Sequence, residues 1–118
     1  MTQFHAHIYF APHEIELANV LVQDAVSSKV FNSIKLFEHA VGPHPTAMIE
    51  MHFDDRSHNL AVNWVKAHRK NFSVLIHQDT GDDIKDHTDG IHWLGEMLFL
   101  DFDFFELIKT RPDLRVHP

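Results

Sequence analysis

Five histidines in three short segments are the residues best placed to do chemistry. They are His5 and His7 in His5-Ala6-His7-Ile8-Tyr9-Phe10, His44 in Gly42-Pro43-His44-Pro45, and His77 and His87 at the two ends of a run through Thr80-Gly81-Asp82. Imidazole is the commonest protein metal ligand and the usual acid–base group near neutral pH. Brought together, the five form a metal site or an acid–base cluster. Kept apart, they are surface histidines in a chain that has 12 of them. Cysteine is absent, which excludes disulfides and thiolate catalysis.

The elements that must carry these residues follow from periodicity. Residues 4–10 alternate, as a strand does, with Ala6, Ile8 and Phe10 on one side and His5, His7 and Tyr9 on the other. Residues 14–38 carry an i, i+4 apolar stripe (Ala18, Val22, Val26, Val30, Ile34), which predicts one long helix stopped by Gly42-Pro43. Residues 46–53 alternate again, with Glu50 and His52 opposite the apolar side. Residues 56–69 have helical spacing, and residues 72–77 form a third strand ending at His77. A short polar helix over 82–88, a last strand near 97–101 and a frayed helix or tail complete the chain.

The order predicts an α+β ferredoxin-like sandwich: a four-stranded antiparallel sheet, helices on one face, and residues 56–69 as a helix inserted between strands two and three. A parallel three-stranded unit would have strands buried on both faces, without alternation. With strand three lying between strands one and two, His5, His7, Glu50, His52 and His77 leave the open sheet face. His44 arrives at the same end, and His87 folds back over it. Three such side chains suffice for a metal. Three histidines suit zinc, iron or copper, whereas two histidines with a carboxylate such as Glu50 suit iron.

Other residues have plainer readings. His13 and His39 sit at the ends of the first helix, and His58, His68, His92 and His117 read as surface or boundary positions. Asp82 caps the short helix that follows it. Trp64 belongs to the core, and Trp93 walls either the core or an aromatic pocket.

Length and composition bound the rest. A chain of 118 residues, 44% of them hydrophobic, suits a single domain over 1–118. A formal charge of −7 without a basic stripe argues against nucleic acid as a partner. No apolar run approaches the roughly 18 residues of a membrane span, and no signal-peptide pattern opens the chain. The cysteine-free composition is compatible with a cytoplasmic location, which is the expectation.

Taken in order, His5-Ala6-His7-Ile8-Tyr9-Phe10, Gly42-Pro43-His44-Pro45, Val74-Leu75-Ile76-His77, Thr80-Gly81-Asp82, Asp86-His87 and Trp93-Leu94-Gly95 resemble the DOPA 4,5-dioxygenase family, a small bacterial and fungal group. The resemblance implies a ferredoxin-like homodimer and a non-haem iron(II) extradiol dioxygenase that opens a catechol such as DOPA with O₂. It departs from the family's usual His-Pro at His77-Gln78, a difference in loop stiffness. On this reading His7, His44 and His77 hold the metal, which zinc could also occupy, and His87 or His5 carries the catalytic proton. Glu50 and Asp82 orient imidazoles, and Trp93 stacks on the substrate; Glu50 as a ligand is the variant. The competing class is a non-catalytic protein that binds a metal or an aromatic acid. A haem-handling monooxygenase of the same fold would need only one histidine.

Overall fold

The computed structural model describes residues 1–114. It contains β1 (Gln3–Tyr9), α1 (Ile15–Ser28), β2 (Ser33–Phe37), β3 (Met48–Asp54), α2 (His58–His68), β4 (Val74–Asp79), α3 (Asp83–Asp86), β5 (His92–Leu94) and α4 (Asp103–Thr110). The five strands form one antiparallel sheet in the order β2-β3-β1-β4-β5.

Five strands replace the expected four because the predicted helix over 14–38 is two elements. α1 ends at Ser28, and Lys29 turns the backbone into the left-handed region (φ 60°). Residues 33–37 then pair with β3. A four-residue spacing is nearly one helical turn, but it is also an even step along a strand, so Val30 and Ile34 satisfied both patterns. The extra strand changes the role of residues 56–69. α2 is no insertion; it is the crossover from β3 to β4, as α1 is from β1 to β2.

β1 is the central strand, flanked by β3 and β4, so the expected position of strand three between strands one and two is corrected. Cross-strand partners are His5↔His77, His5↔His52, His7↔Glu50 and Tyr9↔Met48. The last strand lies at 92–94, earlier than the expected 97–101. Residues 97–101 do alternate, with Leu98 and Leu100 packed inward and Met97 and Phe99 outward, but they join no ladder in the sheet.

Alternation sorts the two sheet faces. Ala6, Ile8, Ile49, Met51, Phe53, Val74 and Ile76 meet Ala18, Leu21 and Ala25 of α1 and Ala61, Val62 and Val65 of α2. The other face carries Tyr9, Met48 and Leu75 under Ile91, Trp93, Leu98 and Leu100, with His87 and Phe105 beside them. The histidine face is therefore covered, where an open face was expected. No helix among the described residues is long and apolar enough to cross a membrane.

Candidate metal centre

The five histidines are buried together: His5, His7, His44, His77 and His87 are each at most 3% exposed. Burying that many imidazoles is costly unless each finds a polar partner or an ion. β1 supplies His5 and His7, and β4 supplies His77. The loop before β3 supplies His44, and the residue after α3 is His87. His7 is the hub. Its ring centroid lies 4.2 Å from His44, 5.0 Å from His77 and 6.4 Å from His87. Because β1 is central, the cluster centres on His7 rather than on one end of the sheet, and His44 reaches it from beside Tyr9.

The loops that deliver the last two histidines are fastened locally. Thr80 donates its backbone N–H (2.8 Å) and its hydroxyl (2.5 Å) to the buried Asp86 carboxylate. That clasp folds the turn after β4 back so that His87 lies 4.4 Å, ring to ring, from His77. On the other side, Asp101 N–H donates to the Pro43 carbonyl at 2.7 Å, tying the cover segment to the His44 loop.

Hydrogen bonding orients the rings. The carbonyl of Gln78 accepts from His77 Nδ1 (2.9 Å), and the carbonyl of Asp83 accepts from His87 Nδ1 (2.7 Å). A carbonyl only accepts, so both Nδ1 atoms carry the proton and Nε2 is the candidate ligand atom. His44 Nδ1 meets the Tyr9 hydroxyl at 2.8 Å. Burial, reinforced by the charge of Glu50, pushes the Tyr9 phenol well above its ordinary pKa, so it stays neutral.

The observation that tests the fit of a metal is the pair His7 Nε2···His77 Nε2, 2.9 Å apart. His77 presents a lone pair there. On the other side of His7, Nδ1 faces the Glu50 carboxylate at 3.6 Å. A proton on Nδ1 suits the carboxylate, and a neutral ring then turns a second lone pair toward His77. Two lone pairs at that distance suit a cation between them; in the other tautomer His7 Nε2–H simply donates to His77. Two ligands in neighbouring coordination positions at about 2.1 Å from a metal lie roughly 3 Å apart, so the donor set fits. Two groups centred on His7 have ligand atoms within 4.8 Å of one another, His5–His7–His77 and His7–His44–His87; a third is His5–Glu50–His52. The last is a poor chelate, since the His5 and His52 rings stack at 3.9 Å with 7° between their planes. The in-plane lone pairs of rings stacked face to face run side by side and do not converge.

The structure places the other sequence candidates as follows. Glu50 is fully buried beneath the cluster, between His7 and His52, and accepts from His52 Nε2 at 3.1 Å. His5 Nε2 lies 3.3 Å from Asp79. Asp82 is exposed and caps α3 by accepting the Lys85 N–H, as its sequence position suggests; held there, it contacts no imidazole, which corrects the expectation that it orients one. Trp93 stands on the histidine face opposite Leu75, 6.0 Å from the Tyr9 ring. His58 and His68 lie in α2 and His92 on β5, away from the cluster; His117 lies outside the described residues. The sequence pattern put His52 on this face without a role and assigned none to Tyr9, Asp79 or Asp86. For Tyr9 the signal was present, because alternation already put it beside His7.

The profile of the Dopa 4,5-dioxygenase family matches residues 4–104. The chain is similar to the crystal structure of a candidate dioxygenase from Nostoc punctiforme, with a TM-score of 0.78 and 27% identity over 92% of this chain and 94% of that one. It is also 31% identical over 85 residues to an uncharacterized 21.2 kDa protein of Botryotinia fuckeliana, covering 65% of this chain but only 46% of that relative. The matched region spans both strands of the histidine pair and the His44 and His87 segments, and on that basis this chain belongs to the Dopa 4,5-dioxygenase family.

Proposed function

We propose that this chain is a non-haem iron(II) extradiol dioxygenase that opens a catechol ring, with both atoms of O₂ entering the product. The single observation that carries the reading is the buried His7–His77 pair at 2.9 Å within a five-histidine cluster, taken with family membership. His7, His44 and His77 are the proposed ligands, although in this structure His7 converges with His77 alongside His5 and with His44 alongside His87, not as that trio. Bound iron(II) would lower the catechol pKa and bring catecholate and O₂ together. His87 lies beside His77 and holds a proton on Nδ1 toward Asp83, so Nε2 is its acid–base atom for a catechol hydroxyl. The Glu50 carboxylate faces His7 Nδ1 at 3.6 Å, where its charge favours the tautomer with the proton on that nitrogen, and the neutral Tyr9 phenol steadies His44. Trp93 and Tyr9 make the aromatic wall, and the cover segment excludes water.

The β-α-β-β-α-β order with strands arranged 2-3-1-4 supports a ferredoxin-like core, to which β5 adds an edge strand. We take the working unit to be a homodimer, a reading supported by the exposed Met97 and Phe99; light scattering tests it.

The decisive experiment loads the protein with iron(II) without air, adds DOPA or 4-methylcatechol, and then admits air. Oxygen uptake with a yellow semialdehyde product is expected. Tight metal binding without uptake points instead to a binding protein. His7→Ala and His77→Ala should each lose metal, by elemental analysis, while keeping the far-UV spectrum of the parent. Full occupancy in either variant would remove it from the ligand set.

A further inference from the structure

We infer that the cavity beside His87 receives the ring substituent of the substrate and selects catechols with an uncharged, apolar substituent over catecholic acids and over DOPA itself. This rests on the ring-cleaving reading and refines its substrate class.

The cavity has a volume of about 170 Å³ and is walled by His87, Ile91, Trp93, Leu98, Leu100 and Phe102. A dry apolar cavity of about 150 Å³ is enough for one benzene-sized molecule, so this one takes a small ring or a short chain. It adjoins the metal centre. His87 is 4.4 Å from His77 and 5.6 Å from His44, ring to ring, and Trp93 is 6.0 Å from the Tyr9 ring that meets His44. A ligand with its hydroxyls among the histidines can therefore extend its substituent against Leu98, Leu100 and Phe102.

The chemistry of the wall decides what that substituent is. Apart from the His87 ring, the side chains that line the cavity are hydrocarbon, thioether or indole. The lining spans residues 87–102, a stretch that holds no Lys or Arg and three acidic residues, Asp89, Glu96 and Asp101. A substrate carboxylate placed there would lose its water without gaining a cation, and it would meet a like-charged surround. Arg69, the cation that approaches Gly95 in this segment, donates to the Phe72 carbonyl. Each methylene buried in such a wall strengthens binding by up to about fourfold.

The test uses the matched pair 4-propylcatechol and dihydrocaffeate, which differ only in a terminal methyl or carboxylate, together with DOPA. Two readouts are taken on the full chain. Equilibrium binding is followed by tryptophan quenching in zinc-loaded protein without oxygen, and kcat/KM is measured with iron(II). Propylcatechol should bind at least tenfold more tightly than dihydrocaffeate or DOPA, with the same ranking in kcat/KM. Phe102→Arg, at a half-exposed position, should bring dihydrocaffeate to within about threefold of propylcatechol. Equal or tighter binding of dihydrocaffeate or DOPA by the unaltered protein overturns the inference, even if rings are cleaved. So does a failure of all three to bind because a second copy of the chain covers the cavity. Preferential propylcatechol binding without cleavage of any catechol upholds the cavity's selectivity and overturns the ring-cleaving reading instead.

Discussion

At His7 the two ring nitrogens meet opposite kinds of partner, a buried carboxylate on one side and another imidazole nitrogen on the other. Metal entering the gap replaces whatever proton His7 and His77 share, so binding should release protons. Zinc titration in weak buffer at pH 7 should liberate about one proton per ion, read with an indicator dye; no release would mean that the gap holds none. The Glu50 carboxylate faces the His7 ring at 3.6 Å and is itself held by His52. Glu50→Gln should weaken metal binding by about 10–100-fold, the usual effect of losing a ligand's carboxylate partner. His52→Ala, one contact further out, should have a smaller effect in the same direction. Chelator competition measures both, and equal losses would contradict the order of the chain.

At the scale of elements, two turns decide where the site forms. The left-handed turn at Lys29 ends α1 and starts the chain toward β2. A residue with a Cβ is strained there by roughly 1–2 kcal/mol. Lys29→Gly relieves that strain but loosens the unfolded chain, for a net gain of about 1 kcal/mol or less. A rise in Tm of a few degrees is expected by calorimetry, with metal affinity unchanged. The Thr80–Asp86 clasp has the opposite signature. Thr80→Val keeps the backbone donor and removes the hydroxyl that bonds Asp86. A partner of a buried carboxylate is lost, at a cost of about 1–3 kcal/mol. The turn that carries His87 should then exchange its amide hydrogens faster, while the β1–β3 ladder keeps its protection.

For the whole molecule, the sheet separates two tasks. Its helix-covered face is an apolar core, and its other face buries a polar cluster that bare protein holds at some expense in stability. A metal that binds only the folded state should therefore stabilise the molecule strongly. At a hundred times its dissociation constant the gain is about 2.7 kcal/mol. Zinc or iron(II) should raise Tm by several degrees, and a chelator should reverse the rise. His77→Ala should abolish the shift, measured by scanning fluorimetry.

Much of the site was legible without coordinates because strand alternation is strict. Once residues 4–10 and 72–77 read as strands, His5, His7 and His77 had to leave the sheet opposite Ala6, Ile8 and Ile76. Strand order then brought His44, just before the next strand, and His87, about ten residues past His77, to the same end. The ambiguity of a four-residue apolar step hid β2 inside a supposed helix, and so turned α2 into an apparent insertion. Short periodic patterns also carry no information about which strands are neighbours. Placing β1 in the centre, covering the histidine face with residues 82–110, and bringing Tyr9 and Asp79 onto His44 and His5 all depend on contacts between segments distant in sequence. Which side chains share a face is a property of one strand and is readable from alternation alone. That His7 is the hub and that the cluster is buried depends on which elements pack beside and over β1, so neither is written in any single segment.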